Sequence, residues 1–355
     1  MTKKEYEELI LYICSQSKKP PVIPKFELLT RHGVVILFAN RYKQKDSFYI
    51  RLTEFKRLYT MEVLESIAFI KKLDNKFNDM GWRYILLKGV ALSKKLYQES
   101  TTRYSVDIDI FIDKKDRFDV INWLFQNGFT TNQYINLKYQ TYITLTDKRG
   151  LTIDISWEFV PYFYPVKIPK KILFNRTKLS INSISLPVLK KDEEFLYLLI
   201  HASKHLYSKM IWVIDIDRYM RYHNIDYTFV VDKLNTLKAI KYGLYGIYLS
   251  NKILKTPLPK EIQKNIYKYD YNKIYNYTYM LWQNRLPVYK KIYAKSMLYE
   301  STEQKLKYLH YSLLKPTIYE YKILKLPRYL WWIYYLIRIS RLILKIISKN
   351  INKQI

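Results

Sequence analysis

Two aspartates one residue apart, Asp107 and Asp109, lie in the segment SVDIDIFI. Its alternation predicts a β-strand with both carboxylates on one face, and an opposite face formed by Val106, Ile108, Ile110 and Ile112. The two Cα atoms would then lie roughly 6.5–7 Å apart, so the carboxylates could converge on one or two hard cations such as Mg²⁺. The alternative is that they are solvated residues of a half-exposed strand.

A third carboxylate, Asp154, lies in the segment LTIDISWEF, which alternates in the same way. Asp154 would share a face with Thr152, Ser156 and Glu158, opposite an apolar face. If this strand lies in register beside the first, Asp154 completes a carboxylate cluster that two Mg²⁺ ions could share. Three such charges are tolerated when a cation neutralises them, because repulsion would otherwise favour protonation.

A phosphate-binding turn is indicated upstream, where the predicted strand YILL leads into Lys88, Gly89 and a predicted helix. Glycine at such a turn lets backbone N–H groups approach a phosphate, and a helix N-terminus favours anions. Lys88 would add a point charge. Arg103, between this turn and the aspartate pair, is a second cation in the same stretch.

A second Asp-Ile-Asp sequence, Asp215 to Asp217, lies in WVIDIDRYMRY, which follows a helical period. Residues two apart on a helix do not face each other, so this pair is not expected to bind one metal jointly. Asp215 is interpreted as a polar residue near the sheet or a partner for Lys or His.

His201 and His205 are four residues apart on a predicted helix, a spacing that suits a transition metal. No third ligand is indicated, so the alternatives are interior histidines or side chains that face the nucleotide or the acceptor. Lys204, next to His205, would contact phosphate or belong to a solvated face.

The elements that position these residues are predicted from periodicity. Apolar residues from Arg51 to Asp79 follow a 3.6-residue period, which predicts a helix. Short strands and helices then alternate from Gly81, with a helix closed by Gly128 and a hairpin turn over Asp147 to Gly150. Nearly everything after Lys190 is predicted helical. We expect an N-terminal helical region (1–80), an α+β core (81–190) and a helical C-terminal domain (191–355).

The segments ILLKGVALSKKLY, TTRYSVDIDIFIDKKD, LTIDISWEF and LLIHASKHLYSKMIWVIDIDRYM together resemble the uncharacterised nucleotidyltransferase family of the DNA polymerase β-like superfamily. The resemblance covers roughly residues 55 to 222. It implies a mixed sheet with flanking helices, and transfer of a nucleoside monophosphate from an NTP with Mg²⁺ or Mn²⁺ and release of pyrophosphate.

By matching position, the resemblance implies that Asp107 and Asp109 hold both metals and that Asp154 completes the metal site on the attacking side. It also implies that Lys88 and Gly89 border the triphosphate and that Arg103 neutralises phosphate charge. Lys204 and His205 are assigned to nucleotide or phosphate binding. The sequence departs from the family pattern at two positions: Val90 follows the glycine of the turn, and Ser156 stands where the family has a histidine.

The net charge is +30, from 61 Lys and Arg against 31 Asp and Glu. This charge suits an acidic acceptor such as the end of an RNA, for example tRNA, whereas a protein hydroxyl and a small metabolite are acceptors equally compatible with the motifs. Part of the basicity fits a bias toward residues with A/T-rich codons. The alternative function is a non-catalytic basic module that binds nucleic acid or a membrane surface.

Cys14 is the single cysteine, which excludes an internal disulfide and CxxC metal sites. The start of the chain lacks the features of a signal peptide, and we expect a cytoplasmic protein. Near the end, Leu330 to Ile347 is apolar and aromatic but carries Arg338 and Arg341 in its middle, which predicts an amphipathic helix rather than a membrane span. Burial, peripheral membrane contact and nucleic-acid binding are the alternatives for this helix.

Overall fold

The computed structural model describes residues 1–20, 22–132, 137, 140–159, 165–166, 169, 175–316, 320 and 323–351. The chain begins with the helices α1 (Lys3–Ile13), α2 (Phe26–Arg31), α3 (Val35–Arg41) and α4 (Ser47–Asp79). Asp46 caps α4 by accepting a hydrogen bond from the Tyr49 amide at 2.8 Å. The helix predicted over residues 51–79 is thus present and begins four residues earlier.

A mixed sheet follows, formed by β1 (Tyr84–Leu87), β2 (Asp107–Ile112), β3 (Tyr142–Thr146) and β4 (Thr152–Ser156). The strand order is β1-β2-β4-β3, with β2 and β4 parallel and the other neighbours antiparallel. Helices α5 (Gly89–Tyr97) and α6 (Arg117–Gln126) connect these strands. The predicted strands and the mixed α+β class are confirmed.

The turn between β3 and β4 is organised by Asp147. One carboxylate oxygen accepts hydrogen bonds from the amides of Arg149 and Leu151, both at 2.9 Å. Gly150 has a φ of +93°, a conformation that glycine adopts without steric cost. The hairpin turn predicted over residues 147–150 is therefore present, and it reverses the chain from β3 into β4, the strand that carries Asp154.

Val106 departs from the expected apolar face. It immediately precedes β2, and its side chain is 62% exposed, whereas Ile108, Ile110 and Ile112 are buried. The strand begins at Asp107 rather than Ser105, so the alternation predicted for residue 106 does not apply.

A second sheet was not predicted from the sequence. It is a hairpin of β5 (Arg176–Ile181) and β6 (Ile184–Leu189), and β6 lies against β1. Its tight turn uses Asn182 and Ser183, both with positive φ.

The described part of the remaining chain is mainly helical, as predicted. The helices are α7 (Lys191–Lys204), α8 (Met210–Tyr222), α9 (Tyr227–Thr236), α10 (Ile240–Leu254), α11 (Lys260–Ile266), α12 (Asn272–Trp282), α13 (Val288–Ser296), α14 (Thr302–Leu313) and α15 (Ile333–Ile351). Within the residues described, none is long and apolar enough to cross a lipid bilayer.

The N-terminal and C-terminal helices pack together. The Tyr6 hydroxyl donates to the Trp282 carbonyl at 3.2 Å, and the rings of these two residues lie 6.0 Å apart. Buried residues from all three expected segments belong to one hydrophobic core, which extends from Tyr6 to Tyr308. Helices from both ends of the chain therefore support the sheet that carries the aspartates.

Candidate active site

The three predicted aspartates lie together at one end of the mixed sheet. Asp109 of β2 is the direct partner of Asp154 of β4, and Asp107 pairs with Thr152 in the same parallel register. Carboxylate oxygens from Asp107, Asp109 and Asp154 all lie within 4.8 Å of one another. Hard oxygen donors at this separation suit Mg²⁺ or Mn²⁺, so the residues fit a divalent metal site.

Hydroxyl groups orient two of these carboxylates. Thr144 of β3 donates from Oγ1 to Asp154 Oδ1 at 2.5 Å, and Ser105 donates from Oγ to Asp107 Oδ1 at 3.0 Å. Thr144 is the register partner of Asp154 in the antiparallel β3–β4 pair. Neither residue was identified from the sequence. The strand pairing, which brings Thr144 opposite Asp154, was the signal that could have revealed it.

Lys88 contacts the carboxylate cluster directly. Its Nζ lies 2.9 Å from Asp109 Oδ1, and both side chains are largely buried. Burial by itself would lower the pKa of Lys88, but the Asp109 carboxylate raises that pKa above its ordinary value. The lysine therefore remains an ammonium ion that offsets part of the negative charge of the cluster.

Burial also raises the pKa of two of the aspartates. It raises the pKa of Asp109 to about 7, with Lys88 opposing the shift and Asp107 adding to it. Burial raises the pKa of Asp154 as well, although the hydrogen bond from Thr144 opposes this shift. The negative charges of neighbouring aspartates thus add to the raised pKa of Asp109 and of Asp154.

The predicted turn at Lys88 and Gly89 joins β1 to α5. Both residues have positive φ, +42° for Lys88 and +46° for Gly89. A Cβ atom on Gly89 would lie 3.5 Å from the Asp107 carbonyl oxygen, so the turn passes close to the start of β2. No side chain caps α5 at this end. The first turn of the helix is thus directed toward the aspartate-bearing strand.

Arg103 has a different environment from the expected one. Its side chain is 4% exposed, and its Nε and Nη2 atoms donate to the Asp215 carboxylate at 2.8–3.1 Å. The Arg103 amide donates to Ser93 Oγ, and its carbonyl accepts from the Tyr59 hydroxyl. These contacts fix the segment before β2 to α4, α5 and α8. Arg103 therefore anchors the backbone that leads to Asp107.

The second Asp-Ile-Asp sequence lies on helix α8, as predicted, and its carboxylates have separate partners. Asp215 binds Arg103, whereas Asp217 accepts from Arg221 Nε at 2.7 Å and from Thr256 Oγ1 at 2.6 Å. The prediction that these aspartates do not share a metal agrees with this arrangement. The prediction that Asp215 would pair with a Lys or a His was wrong, because its partner is Arg103.

A cavity of about 960 Å³ lies between the sheet and the helical region. Asp107, Asp109, Asp154 and Lys88 line one side of it. Residues from α2, α7 and α8 and the chain around these helices line the other side, namely Arg31, His201, Lys204, His205, Lys209 and Trp212. The cavity is large enough for a nucleotide, since ligand sites commonly enclose about 300–1,000 Å³.

The far wall of the cavity combines aromatic rings with amines. The His201 and His205 rings lie 5.1 Å apart and each contacts the Trp212 ring, with centroids at 5.6 and 5.5 Å. Burial lowers the pKa of both histidines well below the ordinary value, and nearby lysines lower it further. Both rings are therefore neutral near pH 7, and the described residues supply no third metal ligand beside them.

Lys204 is the predicted phosphate contact on this wall. Burial lowers its pKa to about 8, and the charge of Lys88 contributes. No described acidic side chain forms an ion pair with Lys204 or Lys209. Lys209 and Trp212 were not identified from the sequence, because contacts across a cavity leave no local pattern.

The family model described as an uncharacterised nucleotidyltransferase matches residues 26–255. Among solved structures, the chain is similar to the lincosamide antibiotic adenylyltransferase LnuA bound to lincomycin, with 18% identity and a TM-score of 0.33. That match covers 44% of this chain and 94% of the other. A nucleotidyltransferase-like antigen from Paracoccidioides brasiliensis is 13% identical with a TM-score of 0.33, over 54% of this chain and 92% of the other. No curated protein matches the sequence.

Proposed function

The chain belongs to the uncharacterised nucleotidyltransferase family, and we propose that it transfers a nucleoside monophosphate from an NTP to a hydroxyl acceptor. The observation that carries this proposal is the cluster of Asp107, Asp109 and Asp154 on adjacent parallel strands, facing a cavity of nucleotide size. The acceptor oxygen would form a bond to the α-phosphorus. The bond from that phosphorus to the bridging oxygen would break, and pyrophosphate would leave.

The roles of the chain's own residues follow from their positions. Asp107, Asp109 and Asp154 would hold Mg²⁺ or Mn²⁺, which when bound would neutralise charge on the phosphoryl oxygens, in a two-metal arrangement. Asp154, which already accepts from Thr144 on one oxygen, would take the acceptor's proton on the other. Lys88 and Gly89 would border the triphosphate from the β1–α5 turn.

The far wall would bind the rest of the nucleotide. Lys204 and His205 would contact phosphate or ribose, and Trp212, whose ring contacts both histidines, offers a surface on which a base can stack. We assign Arg103 a positioning role rather than direct phosphate binding, because the Asp215 carboxylate accepts from both Nε and Nη2 along one edge of its guanidinium. RNA, a protein hydroxyl and a small metabolite are the acceptor classes that the experiment below separates.

The test is transfer of label from each α-labelled NTP with Mg²⁺, alone and with total RNA or cell lysate. The Asp107→Ala/Asp109→Ala variant should transfer no label. Asp113→Asn is the matched control, because Asp113 directly follows the same strand and lies outside the cluster, and it should retain transfer. Sensitivity of the product to nuclease or protease identifies the acceptor class.

The competing function is a non-catalytic basic module. In that case, neither labelled product nor Mg²⁺-dependent NTP binding would be found under any of these conditions. RNA binding would instead fall steeply with salt, whether or not Mg²⁺ is present, and the double aspartate variant would bind RNA as the unmodified protein does.

Peripheral membrane contact is a second proposal, and the observation that favours it is an exposed stripe on and before α15. Trp332, Leu336, Ile339 and Ile343 follow helical spacing and are exposed. The two arginines of this helix turn inward instead, since Arg341 binds Glu320 at 2.7 Å and Arg338 donates to the Ser312 carbonyl at 3.0 Å. The stripe is therefore apolar and aromatic, which suits a lipid interface better than nucleic acid.

Co-sedimentation with vesicles tests this second proposal. Vesicles that contain anionic lipid should bind the protein, and Trp332→Ser/Leu336→Ser should reduce the bound fraction. Tyr267→Ser, which alters an exposed aromatic residue at the end of helix α11, is the control. Equal sedimentation of the stripe variant and the control would contradict lipid contact through α15.

A further inference from the structure

Lys88 is placed against the carboxylate cluster by the pairing of β1 and β2. Leu87, the last residue of β1, is the register partner of Asp109, and Lys88 follows immediately. The ammonium therefore emerges beside the Asp109 carboxylate, and the 2.9 Å Nζ–Oδ1 contact results. Among the described residues, this is the one ion pair in which any of the three aspartates takes part.

The backbone at this point is held in an unusual conformation. Lys88 has a φ of +42° and a ψ of −138°, a combination that non-glycine residues rarely adopt. Such strain persists where surrounding structure imposes it, and it concentrates at functional sites. Here β1 precedes Lys88 and α5 follows it directly, so the side chain is directed into the cavity rather than toward solvent.

The Lys88 ammonium takes up a lone pair of Asp109 Oδ1, and its positive charge opposes a divalent cation at the same carboxylate. A cation bound by Asp109 would therefore displace the ammonium from this contact. Lys88 would then be left as a buried charge without a partner, which is costly unless an anion replaces Asp109. The phosphates of a nucleotide in the same cavity provide such an anion.

We propose that Lys88 is the internal counter-ion of the carboxylate cluster, exchanging its partner Asp109 for a nucleotide phosphate when the cluster binds a divalent cation. This inference deepens the proposed function and rests on it. It makes cation binding and nucleotide binding mutually favourable, because each frees the group that the other requires. Lys88 thereby contacts the nucleotide and links the two binding events.

The test measures Mn²⁺ binding without nucleotide by electron paramagnetic resonance at pH 8. Lys88→Met removes the competing ammonium and keeps a long unbranched side chain. We expect it to tighten Mn²⁺ binding about 5- to 150-fold, the range usual for coupled sites. Lys114→Met is the matched control, since Lys114 pairs with Glu158 at 3.1 Å on the border of the same cavity and should leave Mn²⁺ affinity unchanged.

A second arm measures binding of inorganic triphosphate in EDTA. Lys88→Met should weaken this binding, because the phosphate loses its ammonium partner, while Lys114→Met should not. Lys88→Gln serves as a second variant if Lys88→Met lacks the native circular dichroism spectrum.

The inference is overturned if folded Lys88 variants bind Mn²⁺ no more tightly than the unmodified protein. Failure of the proposed metal site is a different result, in which the unmodified protein binds no Mn²⁺ or Asp109→Asn does not reduce binding. Neither readout depends on nucleotide transfer, so the two failures are distinguishable.

Discussion

Asp109 and Asp154 lie side by side on two adjacent parallel strands, and each carboxylate has a different binding partner. Asp109 is paired with the Lys88 ammonium, whereas Asp154 accepts a hydrogen bond from the Thr144 hydroxyl. One carboxylate therefore has a charged partner and the other a neutral one. This difference predicts that the same chemical change destabilises the protein at Asp109 but not at Asp154.

Asp154→Asn should leave stability in EDTA at pH 8 unchanged or higher. The amide oxygen can still accept from Thr144, and one of three mutually repelling charges is removed. Asp109→Asn should instead lower the free energy of unfolding by about 1–3 kcal/mol, because Lys88 loses its partner in a largely buried site. Denaturant unfolding of both variants measures these two changes in the free energy of unfolding. Equal losses would contradict the distinct roles assigned to the two carboxylates. Both variants should lose nucleotide transfer by about 100-fold or more.

The face of each aspartate could be predicted from the sequence because side chains alternate along a strand with a period of two. The turn at Asp147 to Gly150 and the helix before Asp79 were accessible for similar reasons, since local composition and periodicity determine them. The β5–β6 hairpin had a weaker signal, because β5, which leads into the turn at Asn182 and Ser183, consists mostly of exposed polar residues.

Partners distant in sequence could not be predicted. Arg103 and Asp215 are 112 residues apart, and nothing local in either segment specifies the other. The same holds for Lys88 and Asp109, whose contact depends on the β1–β2 register. Arg103 was assigned to phosphate because its charge and position in the sequence were known, while its partner was not.

Arg103 and Asp215 should behave as one unit in a double-mutant cycle. Each single change, Arg103→Met or Asp215→Leu, leaves a buried charge without a partner and should cost about 3–5 kcal/mol of unfolding free energy. The double variant should lose much less than the sum of the two. The exposed Arg51–Glu27 pair is the control, where the corresponding changes should have little measurable effect. Additive losses at Arg103 and Asp215 would show that the two side chains act independently.

His32 should make stability depend on pH. Burial lowers its pKa to about 3, and the neighbouring Arg31 adds to this shift. The unfolded chain therefore binds a proton near pH 6.5 that the folded protein does not bind until about pH 3. The contribution of neutral His32 to the free energy of unfolding is fully present above pH 6.5, and it is lost as the pH falls from 6.5 toward 3.

Each pH unit within that window should cost about 1.4 kcal/mol per histidine. His32→Gln should reduce the slope of unfolding free energy against pH by about one proton, with the remaining slope due to His201, His205 and other groups whose pKa values are shifted. His310→Gln changes an exposed histidine and should leave the slope unchanged. An identical slope in the His32 variant and the unmodified protein would contradict the burial of a neutral imidazole.

Lys204 should lower the free energy of unfolding although it contributes to ligand binding. Burial lowers its pKa to about 8, and no described acidic side chain pairs with it, so at pH 7 the folded protein holds a costly ammonium. Lys204→Met should therefore raise the free energy of unfolding at pH 7, by about 1–3 kcal/mol. Since the folded-state pKa is the lower one, the gain should be largest below about pH 8 and disappear above pH 10.5.

The same variant should weaken Mg²⁺–NTP binding, because the phosphate loses a positive partner. Urea unfolding at pH 7 and pH 10.5, together with NTP titration, checks both effects, and a variant that is less stable at pH 7 would contradict the assignment of Lys204 as an unpaired cation kept for its ligand.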